Sequence, residues 1–232
     1  MFKNFIKILM LSFLFALVFD TSSCLADNNV YSEITNDEKL IQVLDSLNQT
    51  VLGQKTRNII MGDNLSKRPI RILFINISDV SPECSNDEAL VCKDHSGNLY
   101  ILISNEHRNA PVEALNAILS HEVIHQDAVS SKAEELQGWL NETQEWIALK
   151  KLNPELNYIP ENKYPLVDRL NAIEKMYTSA GDSTKYIYQE IYYNPAYSDL
   201  ALYSPGYTSI PADSYISDNT SKLYISHSIK RN

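Results

Sequence analysis

Glycine is scarce, with six residues in 232, so no long flexible linker divides the chain. Clustered basic residues are missing as well. Twenty Lys and Arg stand against 29 Asp and Glu, leaving a formal charge of −9. Phosphate binding needs Lys and Arg gathered in a patch or stripe, so nucleic acid is not expected as a partner. There is no internal repeat and no run of coiled-coil heptads. What is present is ordinary for a folded protein: 44% hydrophobic and 21% charged residues. The length suits one sizeable core and falls short of two comfortable domains.

The N-terminus reads separately from the rest. Lys3 and Lys7 precede an apolar run over residues 8–19, about the length of a signal-peptide core and too short to span a bilayer. Ser23-Cys24-Leu25-Ala26 follows, and cleavage after Ala26 is expected, giving a leader over 1–26 and an exported mature chain. The rival is a lipoprotein, cut before Cys24 and acylated there. Thr21-Ser22-Ser23 lacks the aliphatic residue such a site usually carries. An uncleaved anchor is the third option. Export leaves Cys84 and Cys92, separated by seven residues, and an oxidising compartment favours a disulfide between them over two free thiols.

Residues 36–52 read as a helix capped by Asn36, with Leu40, Ile41, Leu44 and Leu47 at helical spacing. Residues 69–77 and 99–104 read as strands, with a Gly97-Asn98 turn before the second. The polar stretch holding Pro82, Cys84 and Cys92 reads as loop. Pro111 opens a helix expected to reach Gln126. A long helix is expected over 131–152 and another over 168–177. The tail after Gly181 carries nine of the 14 tyrosines, and reads as an irregular, aromatic-packed extension. Five Asn-x-Ser/Thr sequons reflect an Asn- and Ser-rich composition. The expected class is α+β: a small mixed sheet on two long helices, with a core over 27–152 and a partly helical Tyr-rich extension over 153–232.

The chemistry centres on His121-Glu122-Val123-Ile124-His125. Residues four apart share a helix face, so His121 and His125 can bind one cation, and Glu122 beside them can reach a metal-bound water. Val112, Leu115, Leu119 and Val123 form the core stripe of this helix, while Ala114, Ile118, His121, Glu122 and His125 lie on a second, offset stripe.

Strand, turn, strand and then this helix resembles the catalytic core of the HExxH zincin-type zinc metallopeptidases over residues 70–146. The resemblance implies that residues 99–104 line a substrate cleft. It is not to the metzincins, because Ala128 and Ser131 stand where that family has Gly and His. The third ligand is then a glutamate on the next helix, as in the gluzincins. Glu134, Glu135, Glu142 and Glu145 compete. The spacing to Glu145 resembles the thermolysin family, and Trp139-Leu140-Asn141-Glu142 resembles the aminopeptidase N family, two residues short. An antiparallel return through residues 127–130 puts Glu134 or Glu135 level with the histidines, and Glu142 about 10 Å further along. Glu135-Leu136-Gln137-Gly138 also resembles the Glu-x-x-small motif of compact HExxH proteins. Glu135 is therefore the expected ligand. Glu142, on the same face, is its rival or a hydrogen-bond partner of a histidine. Glu134 and Glu145 are expected on a solvated face, and Trp139 and Trp146 in the core.

The implied function is an exported zinc-dependent peptidase acting on peptides or proteins. His121, His125 and Glu135 would hold Zn2+, and Glu122 would activate the zinc-bound water. His95, His107, His227 and the tail tyrosines are available as oxyanion donors. Two other readings stay open: a non-catalytic zincin-like protein of the cell envelope stabilised by its metal, and a peptidase held latent by its own tail.

Overall fold

A computed structural model describes residues 30–80, 87–94, 96–126, 130–179 and 184–203. The leader expected over 1–26, with Cys24 and Ala26, residues Cys84, His95 and His227, and the tail beyond 203 lie outside the described residues. Among the described residues Cys92 is unbonded.

The chain is α+β, with six α-helices and a three-stranded mixed sheet among the described residues. The helix expected over 36–52 is two helices, α1 (Glu38–Ser46) and α2 (Val51–Ile60), separated by a 3₁₀ turn over Leu47–Gln49. Asp37 rather than Asn36 caps α1, accepting from the Lys39 and Leu40 amides. Thr50 causes the break. Its extended backbone interrupts the helix, and its hydroxyl accepts from the Gly53 amide at 2.8 Å to begin a new one.

Strand β1 (Arg71–Ile75), β2 (Ala89–Lys93) and β3 (Leu99–Ser104) form a sheet with β3 in the centre. β1 runs parallel to β3 and β2 antiparallel to it. β2 occupies part of the stretch expected to be loop. Its short apolar run, Ala89-Leu90-Val91-Cys92, pairs with Ile103, Leu102, Ile101 and Tyr100. Gly97 at φ +81 and the Asp94 carboxylate, which accepts from the Ser96 and Asn98 amides, close the β2–β3 turn.

One sheet face, through Ile72, Val91, Ile101 and Ile103, joins the main core with α1 and with α3 (Val112–Glu122). The other carries a smaller patch of Leu90, Leu102 and Ile77. Helix α4 (Lys132–Leu152) packs on α3, and α5 (Pro165–Thr178) and α6 (Lys185–Tyr193) pack on α4. Trp146 and Trp139 are both core residues, Trp146 in the main cluster and Trp139 with Ile173, Ile187, Ile191 and Tyr197. No helix among the described residues is long and apolar enough to cross a membrane.

Candidate metal centre

Helix α3 ends earlier than its apolar periodicity implies, at Glu122 rather than Gln126. The bonding tightens there. Val123 still donates to the carbonyl of Leu119, but Ile124 and His125 donate three residues back, to His121 and Glu122. Gln126 seals the end. Its side-chain amide donates to the Val123 carbonyl at 2.9 Å and accepts from the Leu65 amide at 3.0 Å. His125 therefore sits on the turn after the helix, and its ring centroid is 5.3 Å from that of His121.

Residues 114–122 of α3 are all buried, including the stripe that carries the histidines. Helix α4 lies against that stripe, and Gly138 permits the contact. A Cβ there would stand 2.7 Å from Cδ2 and Nε2 of His121. Ser131 starts α4 with a capping box, both its backbone N–H and its hydroxyl meeting the Glu134 carboxylate. Glu135 follows and points back at α3. Its Oε2 is 3.7 Å from His121 Nε2, its Oε1 is 3.7 Å from His125 Nε2, and Ser130 donates to Oε1 at 2.9 Å.

These separations are too long for hydrogen bonds and suit a shared cation. Ligand atoms of His121, His125 and Glu135 all lie within 4.8 Å of one another. Two ligands at 2.0–2.1 Å from one tetrahedral zinc ion stand roughly 3.4 Å apart. His121 Nε2 and Glu135 Oε2 are buried and have no hydrogen-bond partner, although they face each other. Two imidazoles and one carboxylate are a donor set that could hold a metal ion.

The surrounding carboxylates favour positive charge on His121. Burial would lower the His121 pKa, but Glu135 and Glu142 at its two ring nitrogens, with Glu122 nearby, outweigh burial and hold it at about 10. Burial pushes the Glu122 carboxyl up to about 7; His121 opposes this shift, while Glu135 and Glu142 add to it.

Glu142 lies on the far side of His121, with Oε2 at 3.3 Å from Nδ1. It is thus apart from the Glu135 side of the ring, in the position of a carboxylate that orients a ligand. Burial would raise its pKa, but Arg169 overcomes this and holds it at about 2. The Arg169 fork meets both Glu142 oxygens, Nη1 to Oε1 and Nη2 to Oε2 at 2.9 Å.

The expectation of a solvated face for Glu134 and Glu145 is overturned. Both are buried, because α4 has neighbours on several sides. Glu134 closes the capping box, and Glu145 takes the Thr50 hydroxyl at 2.7 Å on either oxygen. Sequence reasoning missed Arg169, Thr50 and Ser130. One signal was available for Arg169: it lies three residues after Leu166 and four before Ile173, on the buried face of α5. Of the expected oxyanion donors within the described residues, His107 is buried with Nδ1 lacking a hydrogen bond. Tyr197 is buried near Glu135, and its hydroxyl pKa is raised chiefly by burial and then by that carboxylate. No family model, no curated protein and no solved structure matches the chain.

Proposed function

We propose that the protein is an exported zinc-dependent peptidase of zincin type, related in its ligand pattern to the gluzincins. The observation that carries the reading is the convergence of His121, His125 and Glu135 on one point, beside a buried Glu122. Zinc, when bound, would supply Lewis acidity, polarising a peptide carbonyl and acidifying water. Glu122, buried beside His121, suits a group that takes a proton from water and returns it to the departing amide nitrogen. His121, His125 and Glu135 would hold the ion, and Glu142 would orient His121.

Peptide-library cleavage by the zinc-loaded protein tests the proposal, with Glu122→Gln as control. The variant should keep its metal and lose at least ~100-fold in turnover, the usual contribution of a general base. Undiminished cleavage by that variant overturns the mechanism.

One observation favours a second reading. His121, His125 and Glu135 are 0%, 2% and 0% exposed. A metal so enclosed suits a structural role in a non-catalytic envelope protein. A protein that binds zinc, melts lower on chelation and cleaves nothing in the library would be of this kind.

A further inference from the structure

We propose that Arg169 is a positioning residue for the metal centre, acting through Glu142 to fix the tautomer and orientation of His121. The inference rests on the metal-site reading above. Arg169 reaches the site from α5, with its side chain 13% exposed. Its two terminal nitrogens meet the two oxygens of Glu142 as a planar fork, and Nη1 is also 3.2 Å from Glu88 Oε2. The guanidinium carbon stands 5.5 Å from the Trp139 ring centre. One cation therefore joins α4, α5 and the residue leading into β2.

The fork has a consequence at His121. A carboxylate held at both oxygens cannot turn about its terminal bond, so Glu142 Oε2 stays aimed at Nδ1, 3.3 Å away. An ionised carboxylate only accepts. With a cation on the Glu135 side in place of the second proton, Nδ1 must then carry the ring proton, and Nε2 is left to offer its lone pair to the cation. Lysine could neutralise Glu142 but could not hold its plane. Docking of α5 does not need the arginine, because Leu166, Leu170 and Ile173 are already buried there. A buried ion pair is also weak support for stability alone.

The test is zinc affinity of the full chain by chelator competition, measured with apo-state stability for wild type, R169K, R169M, E142Q and R169M/E142Q. R169M should lose about 10–100-fold in zinc affinity, as loss of a partner that orients a ligand does. R169K should recover only part of it, and the double variant should bind no worse than E142Q. Unchanged zinc affinity in R169M, with only apo stability reduced, overturns the proposal. So do additive losses in the double variant, because Arg169 would then not act through Glu142. A wild type that binds no zinc overturns the metal-site reading as well. If the Arg169 variants do not fold, nitrogen-15 imidazole spectra of the zinc-loaded wild type decide. A proton on His121 Nδ1 is the expected result, and one on Nε2 overturns it.

Discussion

Four glutamates on one helix are chemically alike and end in four different situations. Glu134 satisfies the first turn of α4, Glu135 faces two imidazoles, Glu142 lies between His121 and Arg169, and Glu145 takes the Thr50 hydroxyl. Substitution should separate them. Glu135→Gln should abolish stoichiometric zinc binding, read by metal analysis after dialysis, because a neutral amide is a poor ligand beside two imidazoles. Gly138→Ala should act without touching any ligand chemically. The added methyl would stand 2.7 Å from the His121 ring, so the ring or α4 must move. A cost of about 1–3 kcal/mol is expected by overpacking, together with weaker zinc binding. Wild-type affinity and stability in that variant would mean that His121 has room the structure does not show.

At the scale of elements, the junction of α1 and α2 is tied to the middle of α4 through Glu145, which meets the Thr50 hydroxyl and the Gly53 amide. Thr50 accepts from the Gly53 amide and donates to buried Glu145. Thr50→Ser keeps both bonds and should be nearly silent. Thr50→Val removes both, leaving the helix start uncapped and the buried carboxylate short of one donor, and should cost ~1–3 kcal/mol in urea unfolding. Similar midpoints for the two variants would rule out the hydroxyl as the link. The same residue explains why one periodic stretch gave two helices. Leu40, Leu44 and Leu47 are spaced for a continuous helix, but a threonine with an extended backbone stops it. β2 was hidden for a different reason. Four apolar residues between a polar segment and a turn acquire strand character only by pairing with β3.

For the whole molecule, a hydrophobic core runs through the sheet, α1, α3, Trp146 and Leu149, and its contacts are made by apolar side chains without the candidate ligands. The apo protein should therefore stay folded, with zinc adding about 4 kcal/mol at a free concentration near 1,000 times its dissociation constant. Calorimetry with and without chelator measures this, and an apo chain that is unfolded at 25 °C contradicts it. Acid should weaken the fold in part through His107. Burial, and then Arg169, lower its pKa from 6.5 to about 4. The unfolded chain thus takes up a proton on this residue at a higher pH than the folded one does. The stability at stake is intact above pH 6.5, declines as pH falls towards 4, and amounts to roughly 3 kcal/mol. His107→Gln should flatten that limb of a stability–pH curve, and an equally steep limb would assign the acid sensitivity elsewhere.

His121, Glu122 and His125 were legible as a unit because a local spacing of four places two rings together whether the chain makes a full α-turn or the tighter turn seen after Glu122. The strand over residues 99–104, the start of α4 and the burial of both tryptophans were legible for the same reason, since periodicity and capping act within a few residues. Glu135 could be preferred over Glu142 only by assuming a tight return between helices, and the packing of α4 on α3 at Gly138 supplies the distances. Glu134 and Glu145 could not be read as buried, because their burial depends on elements distant in the chain. Arg169 could be placed on the apolar face of α5, but its pairing with Glu142 was out of reach for that reason too. It lies 27 residues from Glu142 and meets it only because α5 packs across α4. Local chemistry and spacing named the two histidines and their glutamate. Which carboxylates surround them, and which cation orients those carboxylates, was decided by long-range packing.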